Sequence, residues 1–174
     1  NVDIDTTGTV GGILLLGEGH DRPNRLHGDI NVSIKSGTVN TAHYGGIDYS
    51  LISSSKNSGV NGNVNYTLGV VGTTGPTING RVCGAGGIRE DDKNFSGDVT
   101  ITINSGLYKK NIIGADNKAN VSGAVTINYH GGTLEGLLKG GVLSRITGEA
   151  ALNVYGELNK ARVDAATFDK VYVR

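Results

Sequence analysis

An all-β fold, a parallel β-solenoid of about five to six coils, is the architecture this sequence predicts. Three observations lead there: a period-2 apolar pattern, its return along the chain, and the glycines that punctuate it. Within "SGDVTITINSG" (96–106), Val99, Ile101 and Ile103 alternate with Thr100, Thr102 and Asn104, the pattern of a strand with one buried and one wet face. The same order of Gly, then polar and apolar in turn, recurs as "GDINVSI" from Gly28, "GNVNYTL" from Gly62, "GDVTITI" from Gly97, "GAVTINY" from Gly123 and, more loosely, "GEAALNV" from Gly148. Glycine makes up 29 of 174 residues, more than twice its usual share of about 7%, and it falls between the apolar pieces.

The elements follow in chain order. "TVGGI" (9–13) reads as the tail of a unit whose start is missing or diverged, so residues 1–27 form a divergent first coil. Residues 28–155 carry the repeats, and 156–174 a C-terminal strand region, all in one domain. After the leading strand comes a turn and a second short apolar piece, as in "SGTVN", "SGLYKK", "GGTLEG" and "YGELNK". A third piece ends in a glycine pair, as in "HYGGI" (43–47), "GAGGI" (84–88) and "LKGGV" (138–142). The leading glycines stand 34, 35, 26 and 25 residues apart, lengths that suit coils of two or three strands. The first two units hold insertion loops, "DYSLISSSKNSGVN" (48–61) and "REDDKNFS" (89–96), rich in Ser, Asn and charge. "LNKARVDAATFDK" (158–170) reads either as a helix or as a last short strand followed by a loop.

A short repeat of strands and turns cannot bury its apolar face alone, so copies must stack. Stacking puts Ile30, Val64, Val99, Val125 and Ala150 in one inward column. Val32, Tyr66, Ile101, Ile127 and Leu152 form the next, and Ile34, Leu68, Ile103, Tyr129 and Val154 the third. An antiparallel β-sandwich is the alternative, since it also shows short alternating strands. It does not account for the returning strand, turn, strand and glycine-pair order.

Sixteen basic residues balance sixteen acidic ones, so no long-range field draws in nucleic acid, and a polymer of the chain would not repel itself. The longest apolar run, Ile13 to Leu16, falls far short of the roughly 20 residues that span a bilayer, and no membrane insertion is expected. Without a Met in the sequence, Asn1 is expected to be a processed N-terminus or the edge of a fragment. The lone Cys83 excludes an internal disulfide and a cysteine-cluster metal site.

The repeated "G-x-V-x-I-x-I-x-x-G" units of residues 28–155 resemble those of secreted microbial β-solenoid surface proteins: autotransporter passenger domains, adhesins and some archaeal sheath or surface-layer proteins. That resemblance implies an extracellular location at the cell surface. It carries over no catalytic residue, and its members include structural coats, adhesins and polysaccharide-degrading enzymes.

Candidate sites lie on outward columns and at the ends. Asp29, Asn63, Asp98, Ala124 and Glu149 follow the leading glycines, and such a column offers calcium hard oxygen ligands. Interrupted by Asn63 and Ala124, it reads better as solvated strand starts, and no cofactor is expected. Glu18, His20 and Asp21 with His27 form a metal candidate weakened by chain adjacency, and "REDD" (89–92) reads as a solvated charge run. Cys83 sits at a place equivalent to Ile113 or Leu138 and reads as a small buried hydrophobe, with an interchain disulfide as the next reading. Asn31, Asn65, Asn94 and Asn120 match the N-glycosylation pattern, and Asn31 and Asn65 point outward. An enzyme of this fold needs clustered carboxylates beside a basic group. Thr, Asn and Ser fill the outward columns instead, so no enzyme is expected.

The ends "NVDID" and "FDKVYVR" both read as strands, through Val2 and Ile4 and through Phe168, Val171 and Val173. No cap is evident, and an uncapped solenoid end templates further pairing. The expectation is therefore a structural subunit of an extracellular filament, sheath or surface layer. Its partner is itself, joined by edge-strand pairing and end-to-end stacking. The alternative is an adhesin module that binds glycans or other cell-surface components through its Thr/Asn face.

Overall fold

The computed structural model describes residues 1–16, 26–44, 46–54, 60–86 and 93–174. The chain is a parallel β-solenoid in which five successive coils each contribute a strand to four sheets and two further strands extend the first sheet. The first sheet stacks Val2–Ile4, Ile30–Ile34, Val64–Leu68, Val99–Ile103, Val125–Tyr129, Ala150–Val154 and Lys170–Val173. The second holds two-residue strands: Thr9–Val10, Thr38–Val39, Thr77–Ile78, Leu107–Tyr108 and Thr133–Leu134. Ile13–Leu16, Ile47–Ser54, Arg81–Gly86, Ile112–Asp116 and Leu138–Val142 form the third, with Ala42–Tyr44 added as a hairpin to Ile47–Ser54. Leu26–His27, Val60–Asn61, Lys93–Phe95, Ala119–Val121 and Arg145–Ile146 form the fourth. That hairpin is the one antiparallel pair among the described residues, so the sandwich alternative is excluded.

Register follows the repeat. Val64 pairs with Ile30 and with Val99, and Val99 with Val125, which pairs with Ala150. All fifteen residues of the three inward columns are buried, and their alternation with polar residues is what selects this register, since a slip of one residue would turn every side chain over. Three tyrosines enter the core and each hydroxyl finds a carbonyl: Tyr66 donates to Cys83 O at 3.1 Å, Tyr108 to Ser105 O at 2.7 Å and Tyr129 to Gly132 O at 2.6 Å. Unmet, each phenol would cost about 1–3 kcal/mol.

Two sequence expectations need correction. Coils have four strands rather than two or three, because strands of two residues are too short to show alternation. Residues 48–61, read as an insertion loop, instead hold most of strand Ile47–Ser54 and all of Val60–Asn61. The divergent first coil stands, with Val2–Ile4 as the diverged start of the unit whose second and third strands, Thr9–Val10 and Ile13–Leu16, contain "TVGGI".

Of the five leading glycines, Gly28 and Gly62 have positive φ, whereas the later three serve close stacking more than turning. Gly97, Gly123 and Gly148 do not have positive φ. A Cβ on Gly123 would lie 2.6 Å from Gly97 O, and one on Gly148 2.6 Å from Gly123 O. Each glycine is thus the neighbour that excludes a side chain from the next. Single glycines of the third sheet act similarly inside the coil, where a Cβ on Gly84 or Gly114 would strike the Val99 or Val125 side chain.

At the C-terminal end, 158–170 is neither the helix nor the short strand and loop considered from sequence. It holds two 3-10 turns, Lys160–Arg162 and Ala165–Thr167, with Val163 bridging to Leu138 between them. Asn159 caps the first turn through Ala161 N–H. Asp164 pairs with Lys139 at 2.9 Å, and Thr167 Oγ1 accepts from Gly140 N–H. Phe168 is accordingly not in a terminal strand. Its ring lies against Gly140, where Val99 and Val125 lie against Gly84 and Gly114, and the column supplies only Ala150 at that level. Leu158, Val163 and Phe168, all partly buried, cover part of the last core layer, so the end is partly capped.

Gly123→Ala should lower stability by about 1–3 kcal/mol, as overpacking does. Gly11→Ala, where a Cβ meets nothing within 4 Å, should change it by less than about 0.5 kcal/mol. Chemical denaturation of the two variants measures the difference.

Candidate assembly surfaces

The outward face of the first sheet is built from amide ladders. Asn31 donates to Asn1 Oδ1 at 3.1 Å and Asn65 to Asn31 Oδ1 at 3.0 Å. Further along, Asn153 donates to Asn128 Oδ1 at 2.9 Å. Equal-offset Asn residues one layer apart match the reach of a side-chain amide, so the columns link coils to each other. Of the sequon residues, Asn31, Asn65 and Asn120 each donate their side-chain nitrogen within such a ladder. Asn94 is exposed and accepts from Asn120 at 3.3 Å.

The carboxylate column after the leading glycines has a structural use. Asp29 Oδ1 accepts from Asn63 N–H, Asn63 Oδ1 from Asp98 N–H and Asp98 Oδ1 from Ala124 N–H, at 2.8, 2.9 and 2.8 Å. One oxygen per residue is thereby committed to the next coil, which is why Asn63 serves as well as Asp. Among the described residues no three His, Cys, Asp or Glu side chains gather as metal ligands. Glu18, His20, Asp21 and "REDD" (89–92) lie outside the described residues. His27 is exposed, its Nδ1 3.1 Å from Asn61 Nδ2.

Cys83 is aligned with Ile113 and Lys139, whereas Leu138 is aligned with Ile112 and Val82. The equivalence to Leu138 drawn from sequence therefore fails by one residue. The thiol is fully buried in a small second cluster with Tyr49 and Ile52, outside the main core, and donates to Ala85 O at 3.2 Å. Burial holds it well above the ordinary thiol range, reinforced by the Asp116 charge. An interchain disulfide would require that thiol to leave its cluster. Asp116 itself is 5% exposed, with Arg81 Nη1 3.8 Å from Oδ2 and no hydrogen bond to that oxygen among the described residues. Burial raises its carboxyl above the ordinary value, and Arg81 opposes that.

The two ends of the first sheet differ. Val2 and Ile4 are half-buried on the first layer, with Asp3 and Asp5 exposed between and after them. Lys35 pairs with Asp3 at 3.0 Å and draws its carboxyl below the usual range. At the other end Lys170–Val173 pairs, among the described residues, only with Ala150–Val154. Val171 and Val173, in register with buried Leu152 and Val154, are 44% and 84% exposed. Beside them is an apolar hollow of about 370 Å³ lined by Val154, Leu158, Val163, Ala165, Val171 and Val173. The opposite signs of the charges at these ends leave no trace in the net charge, and only the register reveals them.

Comparison with known proteins finds no matching family model, curated protein or solved structure.

Two outcomes follow for the buried cluster. A thiol reagent should leave Cys83 unmodified in the native chain and label it at the rate of unfolding. Because the folded carboxyl of Asp116 titrates above the unfolded one, the native state binds the proton more tightly. Its contribution to stability should therefore fall as pH rises from about 4 through the raised folded pKa, and Asp116→Asn should remove that part of the slope in denaturation curves recorded between pH 4 and 8.

Proposed function

We propose that this protein is a structural subunit of an extracellular assembly, a filament, sheath or surface layer, that self-associates through edge strands and end-on stacking and performs no chemistry. One observation carries this reading. Val171 and Val173 stand in columns whose preceding members are buried, yet they are 44% and 84% exposed, on a strand with one free hydrogen-bonding edge. A further strand there would bury both side chains, at about 25 cal/mol per Å² of apolar surface, and pair the backbone groups of the edge.

Other features support it. The outward Asn ladders couple coil to coil, which suits a load-bearing rod. The zero net charge leaves association unopposed over long range, and the glycine-punctuated repeat resembles those of microbial surface proteins.

Sedimentation velocity of the purified 174-residue chain between 1 and 50 μM, as a rough range for modest affinities, tests the proposal. Concentration-dependent growth beyond the monomer is the expected outcome. A monomer that persists throughout with the fold intact by circular dichroism contradicts it.

A further inference from the structure

The register of the first sheet specifies how two copies would meet. Following the pairings through all seven strands, Val171 falls in the column that Val2 begins, and Val173 in the column that Ile4 begins. The chain's first strand is therefore a ready continuation of its last, with apolar residues at both inward positions. Outward, Tyr172 falls in the column of Asp3, and the neighbouring offsets place Lys170 over Asn1 and Arg174 over Asp5. At these aligned offsets one edge carries Asp3 and Asp5 and the other Lys170 and Arg174, with exposed Asp169 just before Lys170.

From this we infer that the protein polymerises head to tail with itself, the Val2–Ile4 strand of one copy adding in parallel to Lys170–Val173 of the next, with Val2 beside Val171 and Ile4 beside Val173. The inference rests on the self-association proposed above and adds its polarity and register. Asp5 of the incoming copy then meets Arg174, and Asp3 lies between Lys170 and Arg174. Carboxylate-to-base contacts across one layer are already used within the chain, by Asp3 with Lys35 at 3.0 Å and by Glu149 with Lys170 at 2.7 Å.

Polarity follows from the same charges. A two-fold dimer through either end would set Asp3 and Asp5 against their own copies, or Lys170 and Arg174 against theirs, and like charges so placed disfavour it. Joining unlike ends is a heterologous contact that does not close, so it propagates as a fibre. Seven strands of the first sheet per copy, at about 4.8 Å each, give an axial repeat of about 34 Å.

Charge reversal tests the contact. Asp5 and Arg174 are exposed, and circular dichroism checks that each variant folds. Asp5→Arg alone and Arg174→Asp alone should each raise the concentration needed for assembly about tenfold or more. An equimolar mixture of the two single variants should assemble again, since the basic head of one meets the acidic tail of the other, and the double variant should assemble by itself. Should both single variants assemble as the parent chain does, this register is overturned while self-association stands. If the parent chain stays monomeric, self-association fails and this contact with it.

Discussion

Each layer of the solenoid must accept the residue directly above and below it at a spacing of about 4.8 Å, and the rest of the structure depends on that vertical constraint. Inward, it demands apolar volumes that fill the coil without crowding the next, as Val99 on Val125 or Ile101 on Ile127 do. At the corner after each coil the backbones approach so closely that Gly97 leaves no room for a Cβ at Gly123, nor Gly123 at Gly148. Outward, the same spacing suits an amide that donates up and accepts from below, hence Asn1, Asn31 and Asn65 in one column. The same spacing thus favours glycine at these corners and asparagine on this face.

The first sheet was legible in the sequence because its strands run five residues with one face wet, enough to display period 2. The third sheet was obscured by burial on both sides: Val82 faces the main core, while Cys83 faces the second cluster with Tyr49 and Ile52. Alternation disappears when neither face is polar, so the sequence left Cys83 equivalent to either Ile113 or Leu138, and the second of these is off by one position. The second sheet was legible as short apolar pieces such as "SGTVN" and "GGTLEG", whereas the fourth, with strands of two or three residues, eluded the reading for want of length.

Phe168 shows a different failure. Its spacing from Val171 and Val173 suggested one more alternating strand, yet its ring fills the space beside Gly140. The clue was a deficit of volume: Ala150 ends a column of Ile30, Val64, Val99 and Val125, and something had to supply the missing carbon atoms. Void-free cores hold to native density, so an abrupt loss of size in a stacked column indicates a plug arriving from elsewhere in the chain. The carboxylate column carried a comparable clue. Asn63 between Asp29 and Asp98 keeps a side-chain oxygen but not the charge, which is what an acceptor for the next coil's N–H requires and a cation site does not.

Translation along the axis makes the interior coils equivalent in kind, so distinctive surface chemistry is concentrated where the stack stops. Along the sides, Asn31, Asn65, Asn120 and Asn153 each find a similar neighbour one coil away, so these columns do not single out one coil. On the end layers, the residues that serve the same columns meet no further layer, and Val171 and Val173 are left exposed. The acids at one edge and the bases at the other cancel in a formal net charge of zero. A sum of charges reports only that copies do not repel at a distance. Their placement by column decides which edge suits which, because neighbours one layer apart interact well inside the roughly 8 Å screening length of physiological salt. Register, the property that builds the core, is thus also what distinguishes the two ends.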